Sequence, residues 1–206
     1  MPSPLTDRIP TKRIAIFALR IASVWLAFAL AWPLLAPMYR PFYCAVGNLV
    51  FDNGKASAEF SVAEDVKGDH DIDIRLEKRG SGVWGEAGHS SRLSGYLPTI
   101  TLITFILATP ISWERKRRAL LWGLLFVTLY VLLRMWIPIR RDFSNPDALQ
   151  VYAPGALGRQ LIGISERSLV NAPASWFIVP IFIWVGVAFR RTDWELLQDG
   201  EGDPRG

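Results

Sequence analysis

Two arginines, Arg134 and Arg92, are the first candidates for chemistry, and Arg134 stands where a charged side chain is costly. Arg134 lies near the end of an apolar run over residues 119–137, and Arg92 lies just before another over residues 95–113. A guanidinium inside a membrane segment must pair, line a wet cavity or reach the headgroups, so such an arginine indicates function by default. The alternative is that Arg134 extends outward to the membrane interface beside Trp136.

The other candidates are nucleophiles and bases. His89 stands next to Ser90 and Ser91, but a base and a nucleophile meet through the fold, so adjacency in sequence does not by itself indicate a hydrolase. Cys44 is the single cysteine, which excludes an intrachain disulfide and a zinc cluster built on cysteines. It is either a thiol nucleophile or a small apolar residue that fills space at the end of a span.

His70 lies among acidic residues, which raises the question of a metal site. Asp69, Asp71 and Asp73 fall on one face of a predicted strand, and a solvated face explains them better than a metal cluster. The chain has no glycine-rich phosphate loop and no His-Glu-x-x-His motif. No carboxylate lies inside a predicted span, which argues against a proton-coupled pump or transporter. The sequence therefore predicts no metal and no cofactor.

The segments that must position these residues are strongly apolar. Half of the 206 residues are hydrophobic, nine are Trp, and the apolar residues are concentrated in long runs. This composition is typical of an integral membrane protein. The net charge of +4 comes from cations beside the apolar runs, so membrane topology explains it better than nucleic acid, and no nucleic-acid partner is expected.

The fold class predicted from these runs is a membrane all-α bundle of four transmembrane helices, with a small external β-rich insertion between helices 1 and 2. The predicted segments are a cytoplasmic N-terminus over 1–13, a first span over 14–38, an external β-rich module over 39–94, a second span over 95–113, a basic cytoplasmic turn over 114–118, a third span over 119–137, an external loop with a short interfacial helix over 138–171, a fourth span over 172–189 and a cytoplasmic tail over 190–206.

Clusters of cations set the predicted orientation, because lysine and arginine beside a span disfavour translocation of that side. The topology-determining residues are Lys12, Arg13, Arg115, Lys116, Arg117, Arg118, Arg190 and Arg191. We therefore expect a multi-pass protein of the bacterial inner membrane, in contact with membrane lipid, with both termini in the cytoplasm. Arg20, inside the first span, is expected to extend back to the cytoplasmic headgroups.

The segment between the first two spans is predicted to be rich in β-structure. The turn signal Asp52-Asn53-Gly54 stands between two candidate strands, Val46–Phe51 and Lys55–Ala63. Residues 71–77 alternate strictly and predict a half-buried strand, whereas Arg79–Gly88 is glycine-rich and predicts a loop. A module of about 50 residues is too small to build a core alone. It must therefore lean on the membrane surface, another loop or a partner protein.

The second and third spans, with the residues around them, resemble a known family. The residues that carry the resemblance are Gly88-His89-Ser90-Ser91-Arg92, a span, a basic turn with Trp113 and Arg115–Arg118, a second span and Leu133-Arg134. This order resembles the core of the exosortase/archaeosortase family of multi-pass membrane cysteine transpeptidases, which process C-terminal sorting signals. The resemblance implies that Arg92 corresponds to the arginine of the family's Cys-Ser-Gly-x-Arg motif and Arg134 to its catalytic arginine.

The same match lacks the rest of the family's catalytic set. The nucleophile position falls on Gly88, and no histidine follows His89 to take the place of the family's later histidine. The match covers residues 88–134 of the chain. It implies a non-catalytic relative, similar to the small membrane proteins that accompany exosortase H.

Three functions are compatible with these observations. The preferred one is a non-enzymatic inner-membrane accessory protein of an exosortase-type protein-sorting and processing system, whose partner would be a multi-pass exosortase-like transpeptidase. The second is a membrane cysteine transpeptidase-like enzyme, in which Cys44 attacks and Arg134 stabilises the oxyanion. The third is a small subunit of an unrelated membrane transport complex.

Overall fold

The computed structural model describes residues 11–51, 56–78, 80, 82–144, 153–170, 172 and 174–189. Within these ranges the chain forms six α-helices and one three-stranded antiparallel sheet. The elements are α1 (Thr11–Leu30), α2 (Trp32–Phe51), β1 (Ala56–Lys67), β2 (His70–Lys78), β3 (Val83–His89), α3 (Leu97–Ala108), α4 (Trp113–Ser144), α5 (Ala156–Ser165) and α6 (Ser175–Ala188), with π-helical turns at Arg92–Tyr96 and Glu166–Val170.

The predicted bundle of four transmembrane helices is wrong. Among the described residues, α4 is the one helix that is long and apolar enough to cross a membrane unaided. Helix α3 has 12 residues and α6 has 14. At 1.5 Å per residue they reach about 20 Å, which is short of the ~30 Å of hydrocarbon. The apolar runs over 95–113 and 172–189 therefore contain enough residues to cross a membrane, but the single helix within each run is too short to do so.

Two bent pairs of helices meet the same length and hydropathy requirement when each pair is counted as one. Ala15–Leu30 and Trp32–Phe51 are bent by 68°. Ala156–Val170 and Ser175–Ala188 are bent by 87°, across residues 171 and 173, which lie outside the described set. If each pair crosses as a unit, the described chain has up to three spans.

The predicted first span, 14–38, is divided at Ala31. Pro33 explains the break, because proline has no N–H to donate and its ring clashes with the carbonyl four residues earlier. The Ala31 carbonyl instead accepts hydrogen bonds from the N–H groups of Leu34 and Leu35, at 3.0 and 3.1 Å, and so opens a new helix. A hydropathy window does not detect this change of direction.

The basic residues 114–118 lie in the first turns of α4 and not in a turn of their own. The chain reverses through residues 109–112 instead. Thr109 has an extended backbone (ψ 129°), because the residue before a proline, here Pro110, is disfavoured in the helical region. The Thr109 hydroxyl accepts a hydrogen bond from Trp184 Nε1 at 2.8 Å. This corner is therefore fastened to α6.

The remaining predicted boundaries shift by several residues. Helix α4 contains the predicted third span, 119–137, and continues through the start of the predicted external loop to Ser144. Helix α5 lies where a short helix was expected within 138–171. Lys12 and Arg13 lie in the first turn of α1. Two predicted segments lie outside the described residues: residues 1–10, and the tail from residue 190 onward, which includes Arg190 and Arg191.

The predicted strand over residues 71–77 is confirmed as the central strand, β2. Its apolar residues Ile72, Ile74 and Leu76 are all buried. Ile72 lies opposite Val62 of β1 and His89 of β3. Period-two alternation was therefore sufficient to identify both the strand and its apolar face.

Two other predictions for this module are wrong. Val46–Phe51 is the last part of α2 and not a strand, and residues 83–89 form the strand β3 where a loop was expected. Strand β3 pairs with β2 on one side only. Glycines are tolerated better at such an edge than in a central strand. The predicted turn at residues 52–54 lies outside the described part of the chain.

The sheet builds its core against α2 and α4 and not by itself. Phe60, Ile72 and Ile74 share one buried cluster with residues of both helices. Gly47 allows the closest approach, because a Cβ at that position would lie 2.7 Å from the Phe60 ring. The neighbouring Asn48 side chain donates to the Phe60 carbonyl at 3.0 Å and accepts from the Phe60 N–H at 2.6 Å. The module is thereby fixed to the helices in one register.

Candidate functional site

The most heavily bonded polar side chain at the junction of sheet and helices is Asp71, at the start of β2. Its carboxylate accepts the Ser91 N–H at 2.7 Å and the Ser91 hydroxyl at 2.8 Å. Arg40 Nε of α2 lies 3.0 Å from the same carboxylate and forms an ion pair with it. Asp71 is 3% exposed and Ser91 is fully buried. The carboxylate therefore joins α2, the sheet and the segment that enters α3.

Aromatic rings hold the Arg40 end of this junction. The Trp32 and Tyr96 rings lie 4.6 Å apart, and the Tyr39 ring lies 5.6 Å from that of Tyr96. The Tyr96 hydroxyl donates to the Phe28 carbonyl at 2.7 Å, near the end of α1. The Arg40 guanidinium lies 6.0 Å from the Trp32 ring centroid, within reach of a cation–π interaction.

His89 ends β3 on the buried side of the same junction. Its ring stacks on that of Tyr43 of α2, with centroids 6.1 Å apart. His89 Nε2 is inaccessible to solvent and has no hydrogen-bond partner among the described residues. Burial, followed by the positive charge of Arg134, lowers the pKa of His89 from 6.5 to about 4. His89 is therefore neutral at physiological pH.

His89, whose Nε2 atom is inaccessible to solvent, should make the protein sensitive to acid. Because its pKa is lower in the folded state, the unfolded chain binds the additional proton between about pH 6.5 and pH 4. The contribution to stability is complete above pH 6.5 and is lost as the pH falls through this window, by up to about 3 kcal/mol at pH 4. We expect His89→Gln to flatten the decrease of Tm between pH 7 and pH 4, measured by thermal unfolding in detergent.

His70 supplies the matched control, because it is the other histidine of the chain and is exposed on β2. We expect His70→Gln to change the pH dependence of Tm less than His89→Gln does. Equal slopes for the two variants would contradict the assignment of the acid sensitivity to His89.

Arg134 of α4 points into the protein and not out to the membrane interface. It is 4% exposed. One guanidinium nitrogen donates to the Leu93 carbonyl at 3.1 Å and another to the Val170 carbonyl at 3.3 Å, while Nε is buried without a hydrogen-bond partner among the described residues. The arginine beside Trp136 is instead Arg140, whose guanidinium lies 5.8 Å from the Trp136 ring centroid.

The structure brings Arg134 to the backbone of Leu93, the residue that follows Arg92. Arg92 opens the π-helical turn at Arg92–Tyr96, and Arg134 binds the carbonyl of the next residue, Leu93. The Nε atoms of both arginines are buried and lack a hydrogen-bond partner within the described chain. Arg134 therefore contacts the backbone of the residue next to Arg92, at the start of the apolar segment that leads into α3.

Ser90 and Ser91 bind groups other than His89. Ser91 donates its hydroxyl proton to Asp71, and the Ser90 hydroxyl accepts the Leu93 N–H at 3.2 Å. The described hydrogen bonds link neither serine to His89. The Ser91 hydroxyl is thus bound to a carboxylate and the Ser90 hydroxyl to backbone, and both serines are buried.

Cys44 lies in the buried cluster between α2 and the sheet, with 7% of its surface exposed. A thiol packed among apolar side chains is shielded from substrates and reagents. We expect the folded protein to react with a maleimide at least tenfold more slowly than the same protein unfolded in denaturant, because reaction requires opening of this cluster. The measurement is mass spectrometry of the adduct over time. Equally fast labelling before and after unfolding would show an accessible thiol.

Sequence reasoning missed Asp71 and Arg40. On strand alternation Asp71 should face solvent with Asp73, and no local pattern shows that Ser91 and Arg40 cover it. Arg40 did carry a signal, because it is the one charged residue between Arg20 and Asp52. A lone cation in an apolar helix requires a partner.

In this arrangement Asp71, Ser90 and Ser91 hold the segments of the junction in place. Asp71 is engaged by three contacts, and the two serines are occupied by the hydrogen bonds above. Groups of three or more His, Cys, Asp or Glu side chains that could hold a metal ion are absent from the described residues. The predicted acidic face around His70 is therefore divided, with Asp71 buried in the junction and Asp73 exposed on the sheet.

Comparison with protein-family models gives no match. Comparisons with curated proteins and with solved structures give no match either. The resemblance to exosortases therefore rests on the residues between Gly88 and Arg134 alone.

Proposed function

We propose that this chain is a non-enzymatic inner-membrane accessory protein of an exosortase-type protein-sorting system. The observation that carries the proposal is the meeting of Arg134 with the segment that begins at Arg92, since Arg134 donates to the Leu93 carbonyl at 3.1 Å. These are the two positions onto which the family's arginines fall. The resemblance is thus supported by a spatial contact between residues 41 positions apart.

The position that would hold the family's nucleophile supports a non-catalytic role. A Cβ added at Gly88 would lie 3.1 Å from His70 Nδ1, on the exposed face of the sheet. Successive residues of a strand face opposite sides, and the next residue, His89, faces the buried side. A side chain at position 88 would therefore point away from Arg134.

The other candidate nucleophile fits an enzyme no better. Cys44 is packed in the buried cluster between α2 and the sheet, with 7% of its surface exposed. No observation favours the transport-complex alternative over the accessory role. We therefore propose neither the Cys44 enzyme nor the transport-complex subunit. The partner that the protein recruits distinguishes these alternatives from the accessory role.

The exposed side of the sheet is the surface that we assign to the partner protein. Its edge strand β3 exposes Val83 and, at 55%, Trp84, and the Arg75 guanidinium lies 5.2 Å from the Trp84 ring centroid. An exposed edge strand is a template for addition of a strand from another chain. Exposed tryptophans are frequent centres of protein interfaces.

The beginning of α4 gives the orientation of this surface. Residues Arg115–Arg118 lie at the first turns of the one described helix that can cross a bilayer unaided. We place that end in the cytoplasm, because clustered cations resist translocation. The sheet packs near the other end of α4, against Met135 and Ile139. It therefore lies on the outer side of the inner membrane.

The test is photo-crosslinking in the native cells. A photoreactive phenylalanine analogue replaces Trp84, and a matched strain carries it at Trp122, which is also exposed but lies on α4. We expect a specific protein adduct from position 84 and none from position 122, with a multi-pass cysteine transpeptidase identified in the adduct by mass spectrometry. An adduct with transporter subunits, or the same adducts from both positions, would overturn the proposal.

A further inference from the structure

An apolar groove runs around the corner between α3 and α4. One part, of about 500 Å³, is lined by residues that include Phe17, Ile111 and Trp184. A second part, of about 330 Å³, shares Phe17 and Pro110 with the first and continues along α1 to Arg20. The two parts form one depression between α1, the corner and α6, hereafter the corner groove.

The walls of the corner groove are fastened to one another. Trp184 Nε1 donates to the Thr109 hydroxyl at 2.8 Å, and the Trp184 ring stacks on Phe17 with centroids 6.4 Å apart. The Arg115 guanidinium donates to the Ala188 carbonyl at 3.3 Å, at the end of α6. The groove is therefore a shaped feature of the packed helices.

Two arginines stand on its rim. Arg20 lines one part and Arg115 the other. Arg117 and Arg118 are exposed beside them at the start of α4. Ion pairs among the described residues include neither Arg20 nor Arg118. An apolar depression with cations at the cytoplasmic end of membrane helices has the chemistry that recognises an acidic phospholipid.

We propose that the corner groove binds one acidic phospholipid, such as phosphatidylglycerol. An acyl chain lies along Phe17, Ile111 and Trp184, and the phosphodiester anion accepts hydrogen bonds from Arg20 and Arg115. Arginine suits this contact because its planar guanidinium donates two parallel hydrogen bonds to a phosphate. Free phosphate would leave the apolar walls uncovered. The inference rests on the membrane location that the proposed function includes, but not on the sorting partner.

The assignment also gives Arg20 a role beyond reaching the headgroup region. On α1 it lies nine residues beyond Thr11, about 13 Å along the helix axis at 1.5 Å per residue. The corner at Ala108 and Pro110 lies beside it. A lipid phosphate in the groove places an anion next to this otherwise costly cation.

The experiment is native mass spectrometry of the purified protein in detergent. It is titrated with phosphatidylglycerol and, separately, with phosphatidylcholine of the same acyl chains. We expect saturable binding of one phosphatidylglycerol, with markedly weaker binding of phosphatidylcholine. In the double variant Arg20→Gln/Arg115→Gln the preference for phosphatidylglycerol should fall about tenfold, because two charge-assisted hydrogen bonds are lost.

The matched control removes the same charge outside the groove. Arg117→Gln/Arg118→Gln has the same net charge as the first double variant and should retain the preference. Ile111→Trp fills the groove without changing charge and should weaken binding of both lipids. Equal binding of the two lipids by the unmodified protein, or equal losses in both double variants, would overturn the inference. This assay contains no partner protein, so its outcome is independent of the crosslinking test.

Discussion

Asp71→Ala is expected to destabilise the protein by about 3 kcal/mol, since removing one member of a buried ion pair leaves the other without compensation. The variant removes the anion that pairs with Arg40 of α2. It also removes the acceptor of the N–H and of the hydroxyl of the buried Ser91. For a chain of this length the loss corresponds to a fall in Tm of roughly 10 °C. Thermal unfolding in detergent at pH 7 measures it.

Asp73→Ala is the matched control, because the two aspartates stand two residues apart on β2 and Asp73 is exposed. Its effect should stay within about 0.5 kcal/mol. Asp71→Asn should fall between the two, since an amide oxygen still accepts one hydrogen bond from Ser91 but forms no ion pair with Arg40. If Asp71→Ala and Asp73→Ala had equal effects, the described junction would not be the connection between sheet and helices.

Arg134→Met is expected to cost about 3 kcal/mol as well, for a different reason. The guanidinium bridges two backbone carbonyls, those of Leu93 and Val170. The substitution removes two charge-assisted hydrogen bonds of about 1.5–3 kcal/mol each. This loss of stability is offset in part because the cost of burying the charge is removed as well. The Tm of the variant in detergent gives the magnitude.

The variant Arg134→Lys distinguishes the contribution of the positive charge from that of the planar guanidinium. Arg134→Lys retains the charge but has one ammonium in place of a planar fork, so it should hold one of the two carbonyls and recover only part of the stability. Arg117→Met, an exposed arginine on the same helix, should change Tm by less than about 2 °C. Full stability of Arg134→Met would show that the two carbonyl contacts contribute little.

The Arg134 variants also bear on function. Arg134 donates to the Leu93 and Val170 carbonyls, and its guanidinium lies 5.9 Å from the Tyr130 ring centroid. It therefore acts as a positioning residue for the segment around Arg92. If Arg134→Met folds at reduced temperature and still crosslinks from position 84, its role is structural. If crosslinking is lost while the fold is retained, the arrangement of the two arginines matters for the partner contact.

The sequence was sufficient for elements whose pattern is local. Alternation over residues 71–77 identified the central strand and its buried face, and the long apolar run over 119–137 lies within α4. The sequence was insufficient where an apolar run is longer than the helix that forms within it. Pro33 and Pro110 carried the signals for the breaks, but a hydropathy window weighs apolarity and not direction.

The candidate site was harder to predict than the fold, because its contacts are long-range. Arg134 was identified from the cost of a charge in apolar surroundings, and Arg92 from the family resemblance. Asp71 was not, since the same alternation that located β2 places Asp71 and Asp73 on one face. The difference between them arises from Arg40 and Ser91, 31 and 20 residues away. No pattern confined to the strand carries that information.

The central claim, an accessory role in an exosortase-type system, is tested most directly by its partner. The measurement is co-purification of the tagged protein from its native membranes in a gentle detergent, read by quantitative mass spectrometry. The accessory role predicts recovery of a multi-pass cysteine transpeptidase in near-stoichiometric amount, reduced by Trp84→Ala and not by Trp122→Ala. Recovery of the protein without such a partner, or with transporter subunits in its place, would contradict the claim.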